Sequence, residues 1–336
     1  METMVSEAWP EWSGTLQKRS GGWNNTTFFV ENSGKRAVLR IYDTHKDRNK
    51  IEFEHAVLEQ LGTRALPFKV PVPILTTTGE TMIQLRESGK FACLFRYIDG
   101  ESPVEEEVSY LESFGEVTGI LSEVLSAIDP GLTPVYRPYY ELRSSYPLCS
   151  GEVIRELCLN PLEPFKDLGA ELVMLYRAYR NITGSLNELE GLPHQLVHGD
   201  LNASNLLVNI EDSGQVSSLL DFEFCTYDLR VMEVAVILSG LLGHAEGKEM
   251  IREFCRGFSR SIRLTPAEIN AIPVLMLLRK IDVFLHFVTR YLEGTDESLV
   301  LHEQTKLLSV DLVQLSAGTA EILVILQEEQ GSACRL

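Results

Sequence analysis

LVHGDLNASNLLVNIEDSGQVSSLLDFEF, residues 196–224, decides the reading of this chain. It is a non-helical island among helical stretches, with two short apolar runs, Leu206-Leu207-Val208 and Val216 to Leu220, separated by the turn residues Asp212-Ser213-Gly214. Asp200 precedes the first run, Asn205 stands five residues after Asp200 and directly before that run, and Asp221 comes directly after the second run. If the two runs pair, the residues at their ends point into one cleft. Phosphoryl transfer needs little covalent help from a protein: a base or orienter beside the attacking hydroxyl, oxygen ligands for magnesium, and cations on the phosphates. Magnesium prefers hard oxygen donors and keeps several waters, so one carboxylate and one amide oxygen are adequate. Asp200 is then the base, and Asn205 and Asp221 are the magnesium ligands. Taken singly, His-Gly-Asp and a loop Asn are turn residues, and Asp221 is a cap for the helix that follows. The assignment rests on all of them standing in order in one strand-turn-strand context.

Upstream of Gly100 the chain reads as strands and turns. Thr26 to Glu31 and Ala37 to Tyr42 flank Asn32-Ser33-Gly34-Lys35 and form a hairpin. Lys50 to Gly62 has apolar residues close to helical spacing, and Glu80 to Leu85 with Phe91 to Ile98 make a further strand pair around Ser88-Gly89. Beyond Glu101 the signals are helical: Val104 to Ile128, Pro164 to Glu190, Leu229 to Leu242, Gly247 to Ile262 and Ala267 to Leu292, then two helices over Glu297 to Leu312 and Ala317 to Glu328. Thr265, Pro266 and Glu268 spell a helix start with a capping box. The expected fold class is α+β, a small antiparallel sheet with one helix followed by a larger, mainly helical part.

His198-Gly199-Asp200, Asn205 and then Asp221-Phe222-Glu223 match the kinase pattern H-x-D-x-x-x-x-N followed by D-F-x. On these residues the sequence resembles the aminoglycoside phosphotransferase and choline kinase superfamily, whose members share the protein-kinase-like fold but carry His-Gly-Asp where protein kinases carry His-Arg-Asp. The resemblance runs from about Ser13 to Glu328, with its specific motifs in 198–223. It implies a two-lobed fold, with a nucleotide-binding lobe over 1–99 ending in a hinge and a helical lobe over 100–336 that carries the catalytic loop, the metal loop and the acceptor pocket. It also implies ATP and Mg2+ as cofactors and a hydroxyl of a small molecule as acceptor.

The same resemblance places further residues. Gly21, Gly22, Asn24, Asn25 and Thr26 fall where the phosphate-covering loop lies. Glycines allow close backbone approach there, and Asn and Thr add donors. Val38 and Arg40 alternate onto one strand face, Val38 to cover adenine and Arg40 to reach phosphate, with Arg in the place of the usual Lys. Glu54 is the expected partner of Arg40, with Glu52 or Glu59 as rivals. Arg96 and Ile98 are the hinge positions for an adenine edge, by alignment on Asp99-Gly100. His198 orders the catalytic loop, Phe222 packs, and Arg230 and Glu233 either pair with each other or brace the loop. Acceptor candidates are Glu223, Asp282, His286, Arg290 and Glu293. The last four recur at three- or four-residue steps, which suits one helix face; a solvated polar face reads the same way.

Composition narrows the partners. With 30 Lys and Arg against 48 Asp and Glu, the formal net charge of −18 repels phosphate backbones and anionic headgroups, so neither nucleic acid nor a membrane is expected as partner. Hydrophobic residues at 44% over 336 positions suffice for two cores. The start lacks a basic segment followed by an apolar run, and Ile272 to Val288 is interrupted by Arg279, Lys280 and Asp282, so a cytoplasmic protein with a buried helix there is expected. Six scattered cysteines with no C-x-x-C pair read as small buried apolar residues. The acceptor stays open among homoserine, choline or ethanolamine, methylthioribose, amino sugars and aminoglycosides, with the metabolite kinases favoured. A non-catalytic kinase-fold protein is the alternative, resting on Arg40 and the loosely defined glycine loop. A protein kinase ranks lower, because no Ala-Pro-Glu segment follows Asp221. The oligomeric state has no signature in the sequence.

Overall fold

The computed structural model describes residues 2–19, 25–43 and 47–332; Gly21, Gly22, Asn24 and Cys334 lie outside them. In chain order the first elements are α1 (Glu2–Ala8), β1 (Thr15–Arg19), β2 (Asn25–Asn32), β3 (Lys35–Tyr42), α2 (Arg48–Gly62), β4 (Ile83–Gln84) and β5 (Phe91–Arg96). Then come α3 (Leu111–Leu125), α4 (Leu142–Ser145), α5 (Gly151–Leu159), α6 (Gly169–Leu189), β6 (His194–Val197), β7 (Leu206–Val208), β8 (Val216–Leu219) and β9 (Thr226–Leu229). The chain closes with α7 (Met232–Leu241), α8 (Gly247–Phe258), α9 (Pro266–Leu292) and α10 (Ser298–Ser332).

Packing groups Met1–Pro103, Ala127–Val135 and Ser204–Cys225 into one compact unit. Val104–Ser126, Tyr136–Ala203 and Thr226–Leu336 form the other. This grouping differs from a cut at 99/100: the β7–β8 hairpin belongs with unit 1. The cause is backbone bonding, since Lys69 donates to the Ser217 carbonyl at 2.9 Å and its own carbonyl accepts from Leu219 at 3.0 Å. Glu101 and Val208 exchange bonds of 3.1 and 2.8 Å in the same way.

Unit 1 holds a five-stranded antiparallel sheet in the order β1-β2-β3-β5-β4. Alternation along β3 sends Ala37, Leu39 and Ile41 into a core with Val30, Ala92 and Leu94, where each large side chain contributes roughly 1.5–3 kcal/mol of burial. Val38 and Arg40 therefore lie on the other face. α1 was not expected from the sequence. It closes this core with Val5 and with Trp9, just beyond its end, whose indole Nε1 donates to the Ile74 carbonyl at 2.7 Å.

Unit 2 is a helical bundle with the two-stranded β6–β9 pair set into it. α3 packs on α8, α7 on α9, and α10 along α9, α8 and α6. The Thr265–Glu268 capping box is present, with Pro266 at the first position of α9. α3 starts at Leu111 rather than Val104, after two turns closed by the Val104 and Val108 carbonyls. The two helices expected at the C-terminal end are one. Gly318 does not stop α10: a Cβ there would sit 2.5 Å from Leu242 Cδ1, so this glycine lets the helix pass close to Leu242.

Among the described residues α10 is the one helix long and apolar enough, by length and composition, to cross a bilayer. One side of it buries Leu301, Leu308, Leu312, Ile322 and Ile325, and Lys280–Asp311 and Arg252–Glu328 ion pairs anchor it. Those are the contacts of a bundle helix. Ile272 to Val288 is buried within α9 as expected, and the five described cysteines are buried free thiols.

Candidate active site

The described functional side chains form two charge clusters, one in each unit. In unit 1 the hairpin brings the two expected metal ligands to the same end. Asn205 leads into β7, Asp221 follows β8 after Leu220, and Leu220 donates to the Asn205 carbonyl at 2.9 Å. Asp221 is held at φ 61° and ψ 65°, a left-handed conformation that a non-glycine residue adopts only when its surroundings enforce it. A 3-10 turn over Phe222–Phe224 follows, with Phe222 fully buried as a packing residue.

Arg40 stands between two acids, 3.0 Å from Glu54 Oε1 and 3.2 Å from Asp221 Oδ1. The partner on α2 is Glu54; Glu52 instead pairs with Arg48 at 2.6 Å. Tyr42 donates to the other Glu54 oxygen at 2.9 Å. Burial raises the Glu54 carboxyl to about 7, with Arg40 opposing the rise. For Arg40 burial works the other way, but Asp221 and then Glu54 more than offset it and hold the guanidinium well above its ordinary range. Glu223, an acceptor candidate from sequence, is buried in this cluster and accepts from Asn25 Nδ2 at 2.7 Å. Thr26 donates to Asp43 at 2.5 Å. Arg96 gives its backbone N–H to the Val72 carbonyl at 3.1 Å, which removes it as a donor to an adenine edge.

The donor set suits a hard cation. Asp221 Oδ1 and Asn25 Oδ1 are buried acceptors with no hydrogen bond, the former touched by Arg40 without hydrogen-bond geometry. Among the described residues no group of three His, Cys, Asp or Glu can hold a metal. A metal here would thus rest on the Asp221 carboxylate and the Asn205 amide, with water and phosphate oxygens completing its shell.

In unit 2 the loop around Asp200 is fastened from below. Glu233 on α7 accepts from the His198 N–H at 2.5 Å and the Gly199 N–H at 2.9 Å. Gly199 sits at φ +85°, where a side chain would be strained, which explains the glycine between His198 and Asp200. The fully buried His198 receives the Asp200 N–H on Nδ1 at 3.3 Å. Glu233 therefore braces the loop, and it does not pair with Arg230, which forms a bidentate bond to Glu268 at 2.9 and 2.7 Å.

Asp200 Oδ1 accepts from Arg279 Nη2 at 2.6 Å. Arg279 Nη1 donates to the Tyr139 hydroxyl at 2.8 Å, and that hydroxyl donates to the Gly199 carbonyl at 2.6 Å. Asp282 lies 3.5 Å from Arg279 and accepts from the Tyr146 hydroxyl at 2.6 Å. Burial lifts Asp282 to about 6, with Arg279 and Tyr146 opposing. The remaining acceptor candidates divide. His286 is held down to about 4 by burial and then by Arg290, so it is neutral near pH 7. Arg290 is bound to Asp296 at 2.6 and 2.8 Å, and Glu293 is the exposed C-cap of α9. Arg279, Tyr139 and Tyr146 were missed in the sequence reading. The Arg279–Asp282–His286–Arg290 steps of three, four and four were the available signal for Arg279; the tyrosines carry none.

Sheet, bundle and catalytic loop together define the α+β, protein-kinase-like class, and comparison with known proteins agrees. A family model described as the phosphotransferase enzyme family matches residues 15–270, and the chain belongs to that family. A homoserine kinase of Brucella canis is 25% identical over 275 residues, spanning 78% of this chain and 76% of that protein. A microcompartment-associated aminopropanol kinase superposes with a TM-score of 0.71 at 17% identity, covering 95% of this chain and 98% of the other. An amicoumacin kinase solved with AMP-PNP and Ca2+ gives 0.66 at 16% identity, covering 94% and 92%. The chain is a small-molecule phosphotransferase with a hydroxyl group as acceptor, an enzyme rather than a non-catalytic relative.

Proposed function

We propose that this enzyme is a cytoplasmic, ATP- and Mg2+-dependent kinase that phosphorylates the hydroxyl of homoserine. The acceptor is supported by relatives that carry the name homoserine kinase, and the nucleotide by kinase neighbours solved with AMP-PNP. The observation that carries the reading is the braced loop. Two backbone N–H groups bound to Glu233 fix the backbone that presents Asp200, as a base that must meet one hydroxyl requires.

In this reading Asp200 takes up or orients the hydroxyl proton. Arg40 neutralises phosphate charge, Glu54 holds Arg40, and Asn205 and Asp221 hold the metal. Bound magnesium supplies charge neutralisation of the phosphates. Asn25 and Thr26, with Gly21, Gly22 and Asn24, cover the phosphates. Val38 covers the adenine, and Arg96, through its carbonyl, and Ile98 are the hinge positions for its edge. Unit 1, which carries Arg40, Asn205 and Asp221, serves the nucleotide, and unit 2, which carries Asp200, serves the acceptor.

The test is ADP release with ATP and Mg2+ over a panel of homoserine, choline, ethanolamine, methylthioribose, amino sugars and an aminoglycoside, with Asp200→Asn as control. Release with homoserine, lost in the variant, is expected. Release with another acceptor alone would replace homoserine by that acceptor.

A further inference from the structure

The structure assigns Arg279 as the residue by which this enzyme selects an acceptor that bears a carboxylate. The inference rests on the reading above, since it concerns how an amino-acid alcohol is told from a plain amino alcohol. Arg279 touches the base itself, 2.6 Å from Asp200 Oδ1, and reaches Tyr139 with its second nitrogen. A hydroxyl on the other Asp200 oxygen therefore has a guanidinium within a few ångströms. In homoserine the hydroxyl and carboxylate are four bonds apart, on the order of 5 Å.

The other cations of this helix stand apart from Asp200. Lys280 pairs with Asp311 at 2.7 Å, and His286 is neutral. Arg290 gives Nε and Nη2 to Asp296 and keeps a buried Nη1 without a hydrogen bond, about three turns further along α9. Arg279 differs from them in what it holds. Its partner is the oxygen pair that must also receive the acceptor's proton, so a fixed Arg279–Asp200 bond competes with the chemistry. A substrate carboxylate resolves the competition: it takes the planar fork of the guanidinium bidentately and leaves Asp200 to the hydroxyl. Asp282, one turn along α9 and bonded by Tyr146, is the nearby anion for the ammonium.

The experiment compares kcat/KM for homoserine, homoserinamide and 3-aminopropan-1-ol in the wild type, Arg279→Lys and Arg279→Gln. The wild type is expected to favour homoserine over both analogues by about 30-fold or more, since a lost charge-assisted bond costs that much. In Arg279→Gln this ratio collapses toward one, chiefly through KM for homoserine, and Arg279→Lys recovers part of it. The amide comparison in the wild type needs no variant to fold. Equal use of homoserine and its amide overturns the inference, as does an equal loss on all three in the variants, which would make Arg279 a positioning residue for Asp200 alone. A wild type silent on all three but active on another panel acceptor overturns the homoserine reading, and the inference with it.

Discussion

In unit 1, Arg40 and Glu54 are 14 positions apart and meet at 3.0 Å. In unit 2, Arg279 and Asp200 are 79 positions apart and meet at 2.6 Å. The first pair is made by one strand and the helix after it, with a hairpin adding Asp221. The second is closed by α9 against the catalytic loop, with Tyr139 and Tyr146 reaching Arg279 and Asp282 from 140 and 136 positions away. Only the Arg40–Glu54–Tyr42 half of the unit 1 cluster is local; Asp221 and the Asn25–Glu223 bond, 198 positions apart, reach it through packing. The Arg279–Asp200, Arg279–Tyr139 and Tyr146–Asp282 hydrogen bonds, by contrast, all join distant parts of the chain.

The contrast breaks most visibly at Asp200. Asp200→Asn is expected to lower kcat by about 10²–10⁴ while nucleotide affinity holds, checked by ADP release and nucleotide titration. A nucleotide defect of similar size would mean that the two clusters do not divide the work. Next comes Arg40→Met, expected to raise KM for ATP by about 10- to 100-fold and leave KM for the acceptor in place, as loss of a charge-assisted bond predicts. Glu233→Gln offers a donor to one of two buried N–H donors. Loss of about 1–3 kcal/mol of stability and a kcat drop of about 10-fold through a loosened loop are expected, read by thermal melting and turnover.

The smallest effect is a pH slope. Glu54 is raised to about 7 in the folded protein, so the fold holds its proton more tightly than the unfolded chain does. That contribution is fully present below the ordinary carboxylate value of 4.5 and is lost as pH rises through 7. Glu54→Gln should therefore flatten the fall in Tm between pH 5 and 8 by about 2–4 °C. An unchanged slope would assign the fall to other buried acids, with Asp228 at about 7 and Asp282 at about 6 first among them.

Elements with a strong local cause were legible. The β2–β3 hairpin, α2, the β7–β8 pair and the start of α9 follow from alternation, turn residues and a capping box, and the structure shows each. The gap expected over 313–316 is absent: α10 runs through it, with Leu312 and Leu315 buried by packing that a local reading does not see. Of the two expectations for Arg230 and Glu233, pairing or bracing, the fold gives the brace by Glu233 and turns Arg230 to Glu268. The helical period put Asp282, His286 and Arg290 on α9 and Glu293 at its C-cap. It did not say that Arg290 belongs to Asp296 or that Arg279 reaches the base.

The sequence by itself determined the class. His198-Gly199-Asp200, Asn205 and Asp221 stand in the order and spacing of the kinase pattern, and strand alternation puts Val38 and Arg40 on one face. Tertiary structure alone decided that Arg230 meets Glu268 and Arg290 meets Asp296, which unit the hairpin joins, and that Arg279 stands against Asp200. The physical reason is range: backbone propensity and periodicity act over a few residues, whereas the pairing of a buried charge is settled by whichever partner packing brings within about 3 Å.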